Sequence, residues 1–343
     1  MNNLKDKKEY YNKLSIGFNG QSDFFDKVII PFKKYISSVY TSPAASMGIA
    51  SARFNPDIFP SQLLEFREKI KAQNIEFNLI YNFDGIANPE IINNLINTAN
   101  FLKPDIITVN GTFLIDKLIE LTNYKLNISI INDINSLNQL HQIFEKDPDK
   151  RIVSYNIGRR KTYDLDFIRS VREAFPDLRL KLMVNEGCIF ECPDQNFHSC
   201  SLTISSGKSM EENIFYCSKF KPDQYWRFLT GQYIPPKFLS AYCDLVDEFK
   251  LATRGNNATL LTNNFAIKIL TEYINEEDIT IARAMQSSFG GSKFSRNFLS
   301  GMDMLNNSLY QKPYPQDFFS VRSNCKHNCY QCNYCKNIVE NKL

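Results

Sequence analysis

From about residue 14 to residue 255 the chain alternates short β-branched or apolar runs with longer stretches whose apolar residues recur at helical spacing. That alternation is the pattern of parallel strands joined by crossover helices. It predicts eight strands, over residues 14–18, 36–40, 77–81, 106–109, 126–130, 152–155, 180–184 and 249–252. Between them, residues 61–73 place Leu63, Leu64, Phe66 and Ile70 on one side of a helix, and residues 89–102 do the same with Ile91, Ile92, Leu95, Ile96 and Ala99. Residues 136–144 and 166–175 repeat the idea. Eight strand and helix units in about 240 residues match an α/β fold of the TIM (β/α)8 barrel type better than an open doubly wound sheet. No Gly-x-Gly-x-x-Gly turn follows the first strand, because GFNGQSD is too sparse in glycine, and this weakens a dinucleotide-binding reading.

A second regularity lies at the strand ends. Asn19, Asn82, Asn110, Asn132, Asn156 and Asn185 all fall at or just beyond the C-terminal ends of the expected strands, where barrel enzymes carry their active-site loops. As a set they describe an upper rim that is polar but poor in ionisable groups; singly, each is also a natural cap for the helix that follows. The barrel is expected over residues 1–255, with a cysteine-rich loop at about 185–220. A C-terminal extension over 256–343 follows, with helices at 261–273 and near 280–286. Beyond them, SSFGGSKFSRNFLSGMD and QKPYPQD read as an extended tail, closed by a four-cysteine knot.

Composition sharpens this picture. With 43% hydrophobic residues, 27 Phe and 17 Tyr, the chain has the apolar area that disordered sequences lack. A net charge of +3 argues against nucleic-acid binding by bulk charge. No run approaches the roughly 20 apolar residues of a membrane helix, and the polar MNNLKDKKEYYNK does not read as a signal peptide. The expectation is a cytoplasmic protein without membrane attachment. In that compartment nine cysteines point to metal or redox chemistry rather than to disulfides.

The cysteines fall in two groups. Cys188, Cys192, Cys200 and Cys217 follow the seventh strand, and Cys325, Cys329, Cys332 and Cys335 crowd NCKHNCYQCNYC; Cys243 stands apart as a buried structural thiol. Structural zinc usually takes two short knuckles, and the first group does not pair into knuckles, so a 4Fe-4S cluster is its favoured cofactor. Cys192-Pro193 matches a Cys-Pro ending common among cluster ligands. In the second group CKHNCYQC has the spacing of a radical S-adenosylmethionine cluster, but that motif must follow the first strand of a barrel, and a fourth cysteine, Cys335, closes the open iron site. A second 4Fe-4S cluster or zinc is expected there instead.

Other chemistry is thin. There is no Gly-x-Ser-x-Gly elbow, His-Glu-x-x-His pair or phosphate loop. His198, inside the first cysteine group, could be a ligand or a proton donor, and His327 could replace a cysteine as ligand, while His141 reads as structural. Glu186, just after the seventh strand, and Arg254, at the end of the eighth, are the charged residues best placed to meet substrate; each could also form an ordinary rim salt bridge.

The runs DIITVNGTFLIDKLIEL, LNISIINDINSLNQL, RIVSYNIGRR with DLDFIRSVREAFP, LKLMVNEGCIFECP and YIPPKFLSAYCDLVDEFKLATRG resemble peptidase family U thirty-two, the collagenase-like group, over roughly residues 75 to 260. The resemblance implies a barrel with a 4Fe-4S cluster on Cys188 and Cys192, completed by Cys200 and Cys217, and an oxygen-independent hydroxylation of a small molecule, peptide or RNA base. Some members of the group use prephenate as oxygen donor, and others carry the label of protease. The cysteine spacing departs from the RNA-modifying and quinone-pathway members, and the C-terminal knot is an addition. Two other readings stand beside the first: a metal-assisted peptidase, and a non-catalytic partner that passes electrons or presents substrate to another redox enzyme.

Overall fold

The computed structural model describes residues 4–42, 58–82, 89–195, 216–220, 222–254, 262–289 and 311–340. Eight parallel strands close into a barrel in sequence order. They are β1 (Leu14–Gly17), β2 (Ile36–Thr41), β3 (Glu76–Tyr81), β4 (Ile106–Val109), β5 (Leu126–Ile128), β6 (Ile152–Asn156), β7 (Arg179–Met183) and β8 (Glu248–Leu251). Closure is made by β8 against β1, with Leu14 opposite Phe249 and Ile16 opposite Leu251. The chain therefore has the TIM-type barrel that its patterning predicts.

Crossover helices Pro60–Lys71, Pro89–Leu102, Thr112–Leu121, Leu137–Phe144 and Leu165–Ala174 cover the outside. Local chemistry sets several of their starts. Ser136 Oγ accepts from Gln139 N while Gln139 Oε1 accepts from Ser136 N, a reciprocal capping box, and Asp164 Oδ1 accepts from Phe167 N. After β8, the helix Asn263–Ile274 begins on a Thr262 cap and takes the place of the eighth crossover helix. Between β7 and β8 the described residues form short 3-10 segments, Pro222–Thr230 and Pro236–Tyr242, rather than an α-helix.

The strands alternate strictly in character, because successive side chains point to opposite faces. Leu14, Ile16, Val39, Phe77, Leu79, Ile107, Val109, Leu180, Leu182, Phe249 and Leu251 pack outward into one cluster with the helices. Most of the intervening positions face one another inside the barrel and are polar, unlike the branched apolar filling usual for this fold, although Met183 joins Ile130 and Ala252 in a small separate apolar cluster. Thr108 Oγ1 donates to Asn78 Oδ1 and accepts from Asn127 Nδ2, and Ser154 Oγ donates to Asn127 Oδ1, at 2.6 to 2.7 Å. Opposite them, Lys181 Nζ and Ser38 Oγ both donate to Glu248 Oε1, at 2.9 and 2.8 Å, and Ser15 Oγ stands 2.7 Å from Ser38 Oγ. Burial would raise the Glu248 carboxyl, but Lys181 and Arg179 overcome it and hold the acid below its ordinary value.

Of the expected tail, residues 311–317 are described and are irregular, with Tyr314 packed into the core. Residues 318–340 beyond it are largely helical. They carry the helices Phe318–Ser323, Cys329–Cys332 and Tyr334–Glu340, and Tyr314, Phe318, Ile338 and Val339 join the main core cluster. The stretch 290–310 lies outside the described residues.

Candidate functional site

Strand β7 delivers the chain to the barrel mouth through Val184, Asn185 and Glu186. Asn185 is locked in place, since its amide donates to the Ala252 carbonyl and accepts from Ala252 N, stapling the ends of β7 and β8. Other rim asparagines act in the same way: Asn156 Nδ2 donates to the Ile128 carbonyl, and Asn132 accepts from Gly111 N and donates to the Val109 carbonyl. These residues hold neighbouring strand ends together, so their regularity in the sequence reports barrel construction.

Glu186 is 8% exposed and is gripped by Arg159, whose Nη2 lies 3.0 Å from Oε1 and whose Nε lies 3.3 Å from Oε2. Arg159 sits on the 3-10 turn Arg159–Lys161 that follows β6. Both ends of this fork are nearly buried, so the carboxylate is fixed in position. The Cys188 thiol lies 3.8 Å from Glu186 Oε1. Burial first, and then the Glu186 charge, push that thiol up to about 12, with Arg159 opposing them. The direction is the reverse of that in an activated cysteine nucleophile.

The remaining members of the first cysteine group are only partly in view. Cys192 and Cys217 are close enough for their charges to bear on Cys188, and Tyr216 N donates to Asp194 Oδ2, tying the Cys217 segment to the Cys192 turn. Cys200 and His198 lie outside the described residues. The loop packs closely on the segment before β8: Gln232 N donates to the Cys188 carbonyl, and a Cβ at Gly231 would stand 2.7 Å from that oxygen, so only glycine fits.

The second group is gathered. Cys325, Cys329, Cys332 and Cys335 line one small cavity together with Trp226 and Arg322. Burial above all raises Cys335 to about 12 and raises Cys329, while Arg322 pulls both down. Cys332 is exposed. Four sulfur donors around one small cavity fit a thiolate-bound metal or cluster in kind and number. Among the described residues, in neither group do three Cys, His, Asp or Glu side chains stand together as a ready metal-binding set. His327 bonds through its backbone N to Cys325 Sγ at 3.3 Å, and burial pushes its imidazole down to about 4.

The two groups are neighbours, which the sequence could not show. The Phe190 ring, between Cys188 and Cys192, stacks on the His327 ring with centroids 3.6 Å apart and planes 7° from parallel. Arg322 lines the cavities of both groups.

At the end of β8, the neighbour of β7, Arg254 is 3% exposed with its guanidinium 5.2 Å from the Tyr40 ring centroid. It fills the space a side chain at Gly17 would need, since a Cβ there would meet Arg254 Cγ at 2.9 Å. Lys250, a residue the sequence analysis passed over, stands 4.5 Å from the same ring. Burial first, then the charges of Lys181 and Arg254, push its amine down to about 7. Its signal in the sequence is the alternation in Glu248–Leu251, which places Lys250 on the inner face two residues beyond Glu248. Cys243 is half-buried rather than fully buried, and its carbonyl accepts from Lys13 Nζ. No helix among the described residues is long and apolar enough to cross a membrane.

No family model matches the chain. Over 288 residues it is 22% identical to the uncharacterized protease MJ1657 of Methanocaldococcus jannaschii, a match covering 80% of this chain and 79% of that protein. Its fold is similar to that of the U32 peptidase Mk0906, with a TM-score of 0.52 and 12% identity over 74% of this chain and 97% of the other.

Proposed function

We propose, starting from the resemblance to peptidase family U32 that both comparisons support, that this chain is an iron-sulfur barrel enzyme of oxygen-independent modification, of the hydroxylation type. Its substrate is a small molecule, a peptide or an RNA base. The observation that carries the reading is Cys188 beside a fixed carboxylate at the barrel mouth, where enzymes of this fold do their chemistry, with Cys192 and Cys217 near enough for their charges to bear on it. Cys200 would complete the donor set, and the C-terminal cysteines would hold a second cluster or zinc. A bound cluster supplies one-electron chemistry that side chains alone do not. The protein's own residues do the rest. Arg159 holds Glu186 oriented beside the thiol loop, and Arg254 at the end of β8 would present a cationic group to an anionic substrate.

A second reading, a metal-assisted peptidase, is favoured by the names of the relatives, one an uncharacterized protease and one a peptidase. It needs a metal with an open position and an activated water. A redox partner is also expected, and Tyr330, 73% exposed beside the C-terminal cysteines, offers an aromatic contact for one. The test is anaerobic purification with iron, sulfide and zinc analysis of the parent protein, Cys188→Ala and Cys332→Ala. The proposal expects about four irons to be lost with Cys188→Ala. Zinc at both sites, together with peptide hydrolysis, would replace it with the peptidase.

A further inference from the structure

Arg322, on the helix Phe318–Ser323, is 2% exposed where the C-terminal segment meets the barrel. Its guanidinium grips the barrel side. Nη2 donates to the carbonyls of Thr230 and Gly231, at 2.6 and 3.1 Å, and the guanidinium lies 4.8 Å from the Tyr163 ring centroid. The C-terminal thiols stand beside it: Arg322 lines their cavity, Cys325 N donates to its carbonyl at 3.2 Å, and its charge bears on Cys329 and Cys335. Bound to a metal as thiolates, those sulfurs would supply the anionic charge that a buried cation needs.

The backbone that Arg322 holds is the backbone that holds Cys188. Gln232 N, the next residue after Gly231, donates to the Cys188 carbonyl at 3.3 Å. Gly231 packs so tightly that a Cβ there would stand 2.7 Å from the same oxygen and 3.1 Å from the Phe228 carbonyl. Close-packed atoms pass a displacement on rather than absorb it, so a shift of residues 230–232 reaches Cys188. A second link runs in parallel. The His327 ring stacks on Phe190, in the same loop as Cys188, and His327 N donates to Cys325 Sγ at 3.3 Å. Both links start on the C-terminal segment and end on the thiol loop.

We infer that Arg322 is a positioning residue of the barrel mouth: from the C-terminal segment it fixes the backbone of residues 230–232 and, through it, the place of the Cys188 thiol beside Glu186. The inference rests on the reading of the Cys188 loop as the site of chemistry, and extends it by making the C-terminal segment part of that site. The stack of His327 on Phe190 reinforces the same latch.

The test is timed iodoacetamide alkylation of the full chain, purified anaerobically, with each cysteine followed by peptide mass spectrometry and iron measured on the same samples. Cys243, tied to Lys13 at the other end of the barrel, is the internal reference. Arg322→Met removes the bonds and the charge, and is expected to speed Cys188 by about tenfold while Cys243 stays within about twofold of the parent. Arg322→Gln keeps a donor for one carbonyl and is expected to act in the same direction, which preserves the test if Arg322→Met does not fold. Arg322→Lys keeps the charge on a single ammonium and is expected to fall between parent and Arg322→Met. A Cys188 rate that stays at the parent value in whichever of the Met and Gln variants folds overturns the inference. So does equal acceleration of Cys188 and Cys243, which would report general loosening. Iron separates the inference from the cluster reading. A parent without iron whose Cys188 still speeds up in Arg322→Met keeps the inference and removes that reading; a parent with iron whose Cys188 ignores position 322 does the reverse.

Discussion

The lower barrel interior and the seam beside Cys188 satisfy buried charge in different ways. Inside the barrel, Lys181 and Glu248 are each 1% exposed and pair with each other, and Ser38 donates to Glu248 as well, although Glu248 Oε2 keeps no hydrogen-bond partner. At the seam, Arg322 and Gln232 are almost as deeply buried and keep several polar atoms unpaired. Position in the fold explains the contrast: the paired strands β7 and β8 bring opposite charges together, whereas at the seam a C-terminal helix sets Arg322 against the backbone carbonyls of Thr230 and Gly231.

The strongest way to break the comparison is to unpair the lower interior. Glu248→Ala leaves the Lys181 ammonium buried, and its only remaining carboxylate is Glu76, 3.6 Å away. We expect a loss of about 3 kcal/mol in urea unfolding, at the low end of what breaking a buried pair costs because Glu76 remains. A double change of Lys181→Met with Glu248→Leu should recover most of it. If the single variant is as stable as the parent, the interior is not held by charge pairing.

Lys250 sharpens the comparison from between the two regions. Its folded amine titrates at about 7, well below an ordinary lysine, so above that pH the unfolded chain binds a proton that the folded chain does not. Stability therefore rises with pH from about 7 toward the ordinary lysine range, by a few kcal/mol at most. In Lys250→Met that rise should flatten. Parallel stability curves for parent and variant between pH 7 and pH 10 would count against the perturbed amine.

The smallest effect belongs to the rim. Asn185→Ala removes the two bonds that join β7 to β8 and should cost about 1–2 kcal/mol, read from the shift in the denaturation midpoint. A null result would mean that strand pairing alone closes the barrel there.

The strands were legible because each carries an apolar outward face bounded by turns and helical spacing. Their inner faces were less so. Ser15, Ser38, Asn78 and Thr108 look like interruptions of apolar runs until the barrel closes and sets them opposite one another. Lys181 and Glu248 are 67 residues apart and meet only through the pairing of β7 with β8. The rim asparagines were visible as a series, but their staple role depends on the carbonyl of the neighbouring strand, which no single segment reveals. Glu186 and Cys188 were found by their place after β7. Arg159, which fixes Glu186, was not, because an arginine in RIVSYNIGRR carries no mark of which acid it will meet. Arg322 escaped for a stronger reason: its partners are backbone carbonyls 91 and 92 residues earlier, and carbonyls leave no trace in a sequence.

That long reach has a consequence during biosynthesis. The barrel strands and the Cys188 loop leave the ribosome first, whereas Arg322 and His327 are translated after them, so a nascent chain can close its barrel while one side of the neighbouring hollow is still missing. The mouth is therefore complete only once residues 318–327 have been made and have packed on the barrel.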